Sequence, residues 1–265
     1  MYAPKDRPEI LVPVRLDLAS TFTFTCELKV ACFGRCCQDA QIMLTPYDIV
    51  RMKNRFGITS DEFLALYTVP GPIENTELPI PYLKTIGKDE RTCPFLDVKG
   101  CGIYEDRPVS CRYYPLGAGI FHNRDASEKE RFFALVKEPH CLGHGLGREW
   151  TVREWIEDQG IPEYDEVNAG WVELILKRKS LGPFVTIPEK TLKMFFMGCY
   201  NVDGFRRFVF DSKFLDIYVV PQDRIDRMEN DDKEILIFAF EWLKGTLYGE
   251  GKLPLRTQTA TAEAE

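Results

Sequence analysis

Eight of the nine cysteines in this chain lie between residues 26 and 141, and this clustering is the feature most informative about chemistry. Thiolate sulfur is the ligand that zinc and iron-sulfur clusters prefer, and four thiolates make a closed site that can stabilise a fold. Buried apolar thiols are the alternative, which eight cysteines at these spacings disfavour. The predicted metal ligands are Cys26, Cys32, Cys36, Cys37, Cys93, Cys101, Cys111 and Cys141.

The spacing of these cysteines indicates a metal without choosing which one. The radical S-adenosylmethionine pattern C-x3-C-x2-C begins correctly at Cys32 and Cys36, but Asp39 occupies its third place. Cys93 and Pro94 reproduce the closing pair of the ferredoxin pattern, and paired C-x2-C zinc knuckles are absent from the sequence. Eight thiolates could form two four-ligand sites or one site with four spare thiols, and both arrangements stay open at this point.

Charged residues next to the cysteines could tune such a centre. Arg107 and Arg112 flank Cys111, where a guanidinium group would offset thiolate charge and lower the pKa of nearby thiols. A surface ion pair with the neighbouring acidic residues is an equally good interpretation. His140 and His144 lie close to Cys141 and could bind metal directly or support the site through hydrogen bonds, and we favour the second role.

The motifs resemble a known family. "FTCELKVACFGRCC" with "LTPYDIVRMK", then "CPFLDVKGCGIYEDRPVSCRYYP" and "HCLGHG", are similar to the YkgJ-type cysteine-cluster family, described as a "putative zinc- or iron-chelating domain" with eight characteristic cysteines. The resemblance runs from about Phe24 to Gly147, and its eight cysteines fall on the eight named above. Many members have the tighter opening C-x2-C-x2-C-C. Because the family includes flagellin lysine-N-methylases thought to carry an iron-sulfur cluster, the resemblance also implies methyl transfer, with S-adenosylmethionine as a candidate cofactor.

Two classes of function follow from these observations. In the first, the chain holds an iron-sulfur cluster, which we favour, or zinc, and supports redox chemistry or protein lysine methyl transfer. That class predicts an open cleft lined by Arg112, Tyr113 and the His140 to His144 loop. In the second, zinc stabilises a structural or regulatory interaction module without catalysis, which predicts a closed site and an exposed apolar patch. Whether the protein is an enzyme stays open, no catalytic residue is assigned, and a protein substrate or partner fits either class.

Composition narrows the partners and the expected location. The formal net charge of -7 argues against nucleic-acid binding, which depends on basic charge meeting phosphate. No apolar run is long enough to cross a bilayer, so no membrane association is predicted. The opening "MYAPKDRPEI" lacks the pattern of a signal peptide, and we therefore expect a cytoplasmic protein, with reduced thiols. The sequence predicts no oligomeric state.

Helix signals are clear in the first half of the chain, but the rest of that half is irregular. Thr45, Pro46 and Asp48 are typical of a helix start, and Gly57 is typical of its end. A second short helix is predicted from Ser60. Prolines predict a connector over residues 70–81, and "GIFHNR" with "RFFALVK" predicts a β-hairpin. The glycine-rich "GAG" and "GHGLG" segments are interpreted as loops.

The second half of the chain has helical periodicity. Thr151 and Glu154 have capping-box spacing, and helices are predicted from about Tyr164 to Lys179, after Pro188, and from Lys233 to about Leu247. Cys199 lies among large apolar residues and is predicted to be an ordinary core residue. The predicted fold is mainly α, with an irregular cysteine-rich metal-binding core and a few short β-strands. Residues 1–150 are predicted to form the cysteine-cluster domain, and residues 151–265 a mainly helical subdomain packed on it with a frayed tail.

Overall fold

The structure is a computed structural model that describes residues 15–38, 41–73, 76–87, 91–121, 130–182 and 186–256. The chain divides into two compact units that are interleaved in sequence. The first comprises Met1–Met43 and Leu83–Asp165, and the second comprises Leu44–Tyr82 and Glu166–Glu265. Each unit therefore consists of two segments, which are separated in sequence by a segment of the other unit.

Helices dominate the described residues, and the strands are short. The helices are α1 Pro46–Phe56, α2 Ser60–Tyr67, α3 Val109–Tyr113, α4 Val152–Asp158, α5 Ile161–Val167, α6 Ala169–Ser180, α7 Glu189–Tyr200, α8 Val202–Phe210, α9 Phe214–Ile217, α10 Gln222–Asn230 and α11 Asp232–Tyr248. The strands are β1 Thr21–Phe24, β2 Thr68–Pro72, β3 Pro79–Leu83, β4 Leu96–Asp97, β5 Gly100–Cys101, β6 Leu116–Phe121, β7 Glu130–Leu135 and β8 His144–Thr151. They form two-stranded sheets, β1 with β8, β2 with β3, β4 with β5 and β6 with β7. The predicted fold class, mainly α with a few short strands, is confirmed.

The antiparallel β1–β8 ribbon anchors an aromatic core in the first unit. Phe22 and Phe24 alternate with more exposed residues along β1 and are both buried, as expected for a strand with one buried face. The ring of Trp155, on α4, packs edge-on against both, with a centroid separation of 5.6 Å from Phe24. The capping box of α4 is confirmed, because the N–H of Thr151 donates to the Glu154 carboxylate and the N–H of Glu154 donates to the Thr151 hydroxyl. The ribbon and α4 thus form one packed layer.

The hairpin prediction is confirmed, whereas the loop interpretation of the glycine-rich segments is wrong. Strands β6 and β7 pair antiparallel from Leu116↔Leu135 to Phe121↔Glu130, and the predicted turn lies outside the described residues. "GAG" belongs to β6, and residues 144–147 of "GHGLG" belong to β8. Gly119 provides room, because a Cβ there would lie 2.4 Å from the Phe132 ring, whereas Gly145 and Gly147 adopt positive φ values of 77° and 80°. A cross-strand aromatic ring therefore occupies the space that a side chain at Gly119 would need.

Residues 70–81 were predicted to be a connector, and this prediction is wrong at both ends. Residues 68–72 and 79–83 form the paired strands β2 and β3. Proline is tolerated in such short strands because their outer edges need no N–H donor. Gly71 lies against the ring of Tyr82, where an added Cβ would approach to 2.7 Å. The pairing of the two strands was not visible in the proline pattern.

The helices of the second unit begin and end largely where the sequence predicts. Thr45 caps α1 through a capping box with Asp48, and Gly57 ends it with a φ of 63°. The N-cap of α2 is Thr59, so the predicted start at Ser60 is confirmed. The segment predicted as one helix from Tyr164 to Lys179 is instead two helices, α5 and α6. They separate at Asn168, whose amide accepts from the Tyr47 N–H and donates to the Thr45 hydroxyl.

Helix α11 lies at the centre of the second unit and packs against α1, α6, α7, α8 and α10. Its buried face includes Phe238 and Trp242, which join Phe205 and Phe214 in an aromatic cluster. Cys199, on α7, is fully buried, which confirms its predicted place in the core. Across the part of the chain that the structure describes, no helix is both long and apolar enough to span a bilayer.

Candidate metal centre

All eight clustered cysteines lie in the first unit, on five separate stretches of chain. None of the nine cysteines is in a disulfide, and Cys93 is the one buried member of the eight. Cys26 follows β1, the next three occupy a tight turn, Cys93 and Cys101 lie on either side of β4, Cys111 is in α3, and Cys141 precedes β8. Thiols far apart in sequence are therefore positioned by strand pairing and loop contacts.

A first set of thiols forms where β1 meets the segment before β8. The N–H of Thr25 donates a 3.2 Å hydrogen bond to the carbonyl oxygen of Gly143, and this places the Cys26 and Cys141 segments side by side. Nearby, the N–H of Leu142 donates to the Cys32 sulfur at 3.2 Å. The first thiol set comprises Cys26, Cys32, Cys36 and Cys141.

The members of the first thiol set affect one another's ionisation. The Cys26 side chain reaches solvent, yet the surrounding protein raises the pKa of its thiol to about 11. The neighbouring thiols of Cys36, Cys32 and Cys141 raise this pKa further, because each thiolate would repel another. A cation placed among them would remove that repulsion. These are the conditions under which thiols give up protons to a metal.

A second set of thiols surrounds the β4–β5 hairpin. The N–H of Cys93 donates a 2.8 Å hydrogen bond to the carbonyl oxygen of Cys37, beside a bridge between Gln38 and Thr92. Cys101 pairs with Leu96 across the hairpin. The second thiol set comprises Cys37, Cys93, Cys101 and Cys111.

Mutual repulsion also links the members of the second thiol set. Burial raises the pKa of Cys93, and the thiols of Cys101 and Cys36 add to the increase. The pKa of Cys37 is raised first by its hydrogen bond to the Cys36 sulfur, then by burial and by the thiols of Cys36, Cys93 and Cys111. The same hydrogen bond lowers the pKa of Cys36 to about 7. The adjacent Cys36 and Cys37 thus connect the two sets.

Arg107 and Arg112 tie the loop before Cys111 to the end of α4. Both side chains are buried. Arg112 donates to the carbonyl oxygens of Gln159, at 2.7 Å, and of Arg107, and Arg107 donates to the Gln159 side chain and stacks over the ring of Tyr104. Burial lowers the pKa of Arg107, whereas the thiols of Cys111 and Cys101 act in the opposite direction. The structure therefore places a buried positive charge within the field of the second thiol set.

Buried polar atoms without a hydrogen-bond partner lie beside Cys141. They are the Nε2 atoms of His140 and His144 and the hydroxyl of Tyr114. Burial lowers the pKa of His144, whose ring lies against Phe24, and His140 Nε2 is 3.3 Å from a Glu138 oxygen without forming a hydrogen bond of acceptable angle. Burial and then the Cys141 sulfur raise the pKa of Tyr114. An unpaired buried polar atom is costly, so these atoms suit a site that is completed by a bound group.

The chemistry of the donors fits a metal, while their arrangement is not that of a formed coordination sphere. Among the residues that the structure describes, no three His, Cys, Asp or Glu side chains are placed so that they could hold one metal ion. Metal binding would therefore require the thiols of each set to move closer together. The assignment of the eight cysteines as ligands therefore stays a prediction.

One open cleft in the first unit differs from the cleft expected of an enzyme. It is lined by residues that include Arg131, Phe133, Arg153 and Asp165, and neither Arg112 nor the His140 to His144 loop lines it. Tyr113 does not line it but contacts two residues that do: its hydroxyl donates to the Asp165 carboxylate, at 2.7 and 2.9 Å, and accepts from the Arg131 guanidinium. The sequence did not predict this cleft, because the residues that line it come from four separate segments of the chain.

Comparison with known proteins supports metal binding in general. The CxxCxxCC family model, described as "Putative zinc- or iron-chelating domain", matches residues 25–141. No curated protein and no solved structure shows a significant match to the chain. The matched segment contains all eight clustered cysteines, and the resemblance predicted from the motifs is confirmed. Residues 25–141 are thus similar to the CxxCxxCC cysteine-cluster family.

Proposed function

We propose that the two thiol sets are two four-thiolate metal sites and that each holds an iron-sulfur cluster. One observation supports the proposal: thiols from five separate stretches of chain act on one another electrostatically, Cys26 with Cys32, Cys36 and Cys141, and Cys37 with Cys36, Cys93 and Cys111. Four thiolates are the ligand number of both structural zinc sites and common iron-sulfur clusters. The division into four and four therefore matches the chemistry better than one site with four spare thiols.

Hydrogen bonds to sulfur support iron-sulfur chemistry at these sites. The Leu142 N–H donates to Cys32, and the backbone N–H groups of Phe95 and Leu96 favour the thiolate form of Cys93. Such donors, together with a buried positive charge such as Arg107, tune the reduction potential of a cluster. A bound cluster would supply one-electron transfer. The chain's own residues would hold it, shield it and set its charge balance.

Lysine methyl transfer is the more specific function that the family resemblance implies, and it receives less support. A dinucleotide-like cofactor site needs a glycine-rich turn between a strand and a helix. In the described residues, the two glycine-rich segments lie in or beside the antiparallel strands β6 and β8. We therefore favour redox chemistry over lysine methyl transfer as the proposed function. Titration with S-adenosylmethionine, followed by calorimetry, tests the methylase alternative, and a protein partner is proposed under either function.

Free thiols favour a reducing location. All nine cysteines are free in the structure, and eight of them lie in the first unit. Because thiols persist in the cytoplasm and form disulfides in secreted proteins, we propose a cytoplasmic protein. Fractionation of the native source, with the redox state of the thiols measured at once, would test this.

Metal and acid-labile sulfide analysis of protein purified without oxygen is the decisive experiment. Iron with matching sulfide and a broad brown absorption would support two clusters. Zinc alone, without colour or sulfide, would overturn the cluster assignment and favour a zinc-stabilised structural or regulatory module. Neither metal, with the eight thiols free in a folded chain, would overturn the metal centre itself.

A further inference from the structure

An open cleft in the first unit has a volume of about 720 Å³, within the usual range for small-molecule sites. Its walls are the turn at residues 17–19, strand β7, helix α4 and the start of α5. Phe133 and Ile156 contribute buried apolar surface to the lining, and Leu18 and Pro162 add apolar surface nearer the solvent. The cleft thus offers an apolar base to a ligand.

Two of the three acidic side chains in the cleft already have partners. Asp165 forms a 2.8 Å ion pair with Arg131 and accepts hydrogen bonds from the Tyr113 hydroxyl. Asp17 accepts from the N–H groups of Ala19 and Ser20 and from the Ser20 hydroxyl, which closes the turn. These carboxylates hold the walls in place. They are not available to a ligand without breaking contacts within the protein.

Arg153 and Glu157 remain, and they are the charged groups of the cleft that lack partners. Within the described residues, neither side chain makes a hydrogen bond or an ion pair. They lie one helical turn apart on α4, where Cβ atoms are about 5–6 Å from each other. The cleft therefore presents one free guanidinium and one free carboxylate, one helical turn apart, next to an apolar base.

We propose that this cleft binds a small zwitterion with an apolar side chain, either an α-amino acid or a dipeptide. The ligand's carboxylate would pair with Arg153, because guanidinium and carboxylate form two parallel hydrogen bonds. Its ammonium group would pair with Glu157, and its side chain would lie on Phe133 and Ile156. A purely anionic ligand would face the Glu157 carboxylate, and a purely cationic one would face Arg153. The zwitterion satisfies both groups.

Calorimetry on the full chain, as purified with its metal, tests this proposal with a graded set of probes. L-leucine and L-leucyl-L-leucine carry both charges, N-acetyl-leucine only the anion, leucinamide only the cation, and N-acetyl-leucinamide neither. We expect the zwitterions to bind and each loss of a charge to weaken binding about tenfold. Comparing the affinity for L-leucine with that for L-leucyl-L-leucine shows whether the cleft prefers an amino acid or a dipeptide. Equal binding of N-acetyl-leucinamide, or no binding of either zwitterion, overturns the proposal.

Matched variants separate the two charges from general effects on folding. R153Q and E157Q should each weaken binding of the preferred zwitterion about tenfold. R148Q and E166Q change the same residue types outside the cleft lining and should bind like the wild type. Unchanged binding by R153Q and E157Q overturns the proposal. The cleft shares no residue with the thiol sets, so metal analysis of the same samples distinguishes failure here from failure of the proposed function.

Discussion

The backbone N–H of Cys93 donates a 2.8 Å hydrogen bond to the carbonyl oxygen of Cys37. This contact joins the turn that carries Cys36 and Cys37 to the β4–β5 hairpin, although the two segments are far apart in sequence. The Cys37 thiol also donates a hydrogen bond to the Cys36 sulfur, so these adjacent side chains lie together. Under our proposal Cys36 serves the first thiol set and Cys37 the second, and the turn that carries them supports both sets.

Loss of one thiol should empty one set and spare the other. We expect Cys26→Ser to lose the metal of the first set and Cys93→Ser to lose that of the second, because serine is a poor ligand for the metals that thiolates prefer. Each variant should keep the metal of the unaffected set. Metal and acid-labile sulfide content per chain, measured on anaerobic samples, checks this.

Cys199→Ala is the matched control for those variants. Cys199 is fully buried in the second unit, so its loss should lower stability slightly and leave the metal content unchanged. If Cys26→Ser and Cys93→Ser each removed all of the metal, the division into two independent sets would be wrong. If neither removed any, these cysteines would not be ligands.

Gly143 should be intolerant of a side chain because it lies against the Thr25 backbone. A Cβ at Gly143 would lie 2.2 Å from the Thr25 carbonyl oxygen, so Gly143→Ala must separate the segments that carry Cys26 and Cys141. We expect a loss of about 2 kcal/mol in the free energy of unfolding, together with loss of metal from the first set. Urea denaturation and metal analysis measure the two effects.

Gly145→Ala provides the comparison for that substitution. Gly145 has a φ of 77°, and an added Cβ would meet no neighbouring atom. Alanine there should cost only the backbone penalty of about 1 kcal/mol and should leave the metal in place. Equal metal loss in both variants would mean that general destabilisation, and not the contact with Thr25, empties the site.

Local signals in the sequence predicted the helices well because they act over a few residues. Thr45 with Asp48 and Thr151 with Glu154 form the capping boxes expected from their spacing, and Gly57 ends α1. The break between α5 and α6 was missed because its cause is distant: Asn168 bonds to residues at the start of α1. The hydrophobic periodicity of the sequence does not reveal a contact between such distant residues.

The cysteine spacings predicted a metal centre but could not divide its ligands. The division that we propose uses contacts between remote segments, the pairing of Thr25 with Gly143 and of Cys37 with Cys93. The interleaving of the two compact units was likewise hidden, because composition changes gradually along the chain while contacts do not follow chain order. The charged residues of the cleft, Arg153 and Glu157, have no sequence pattern that distinguishes them from a solvated helix face.

A buried ion network in the second unit should make stability depend on pH. Burial acts to raise the pKa of Asp232, but hydrogen bonds from Arg206, Lys53 and Asn54 outweigh it and hold this pKa below its usual range. The network therefore contributes stability above the unfolded pKa of about 3.9, and this contribution is lost as the pH falls through the lower folded value. We expect Asp232→Asn to cost about 2 kcal/mol at pH 7.

The difference in unfolding free energy between Asp232→Asn and the wild type should shrink as the pH falls from about 4, where Asp232 is protonated in the unfolded chain, through the lower folded pKa. Urea unfolding at a series of pH values measures it. Asp216→Asn, at an exposed position, should change stability little at any pH. A pH-independent difference for Asp232→Asn would show that the ion network is not what the substitution removes.

Arg178 should be essential to the second unit because it is fully buried and serves backbone carbonyls. Its guanidinium donates to the carbonyl oxygens of Thr76 and Gly182, each at 2.9 Å, whereas its ion pair with the exposed Glu77 contributes little. Arg178→Met leaves both carbonyls without a buried donor, and we expect a loss of about 3 kcal/mol in the free energy of unfolding. The unfolding free energy of Arg178→Lys should lie between those of the wild type and Arg178→Met, since one ammonium group cannot reach both carbonyls in the same geometry. Lys179→Gln, on the exposed face of the same helix, should stay within about 0.5 kcal/mol of the wild type in urea unfolding, and an equal loss there would refute the assigned role of Arg178.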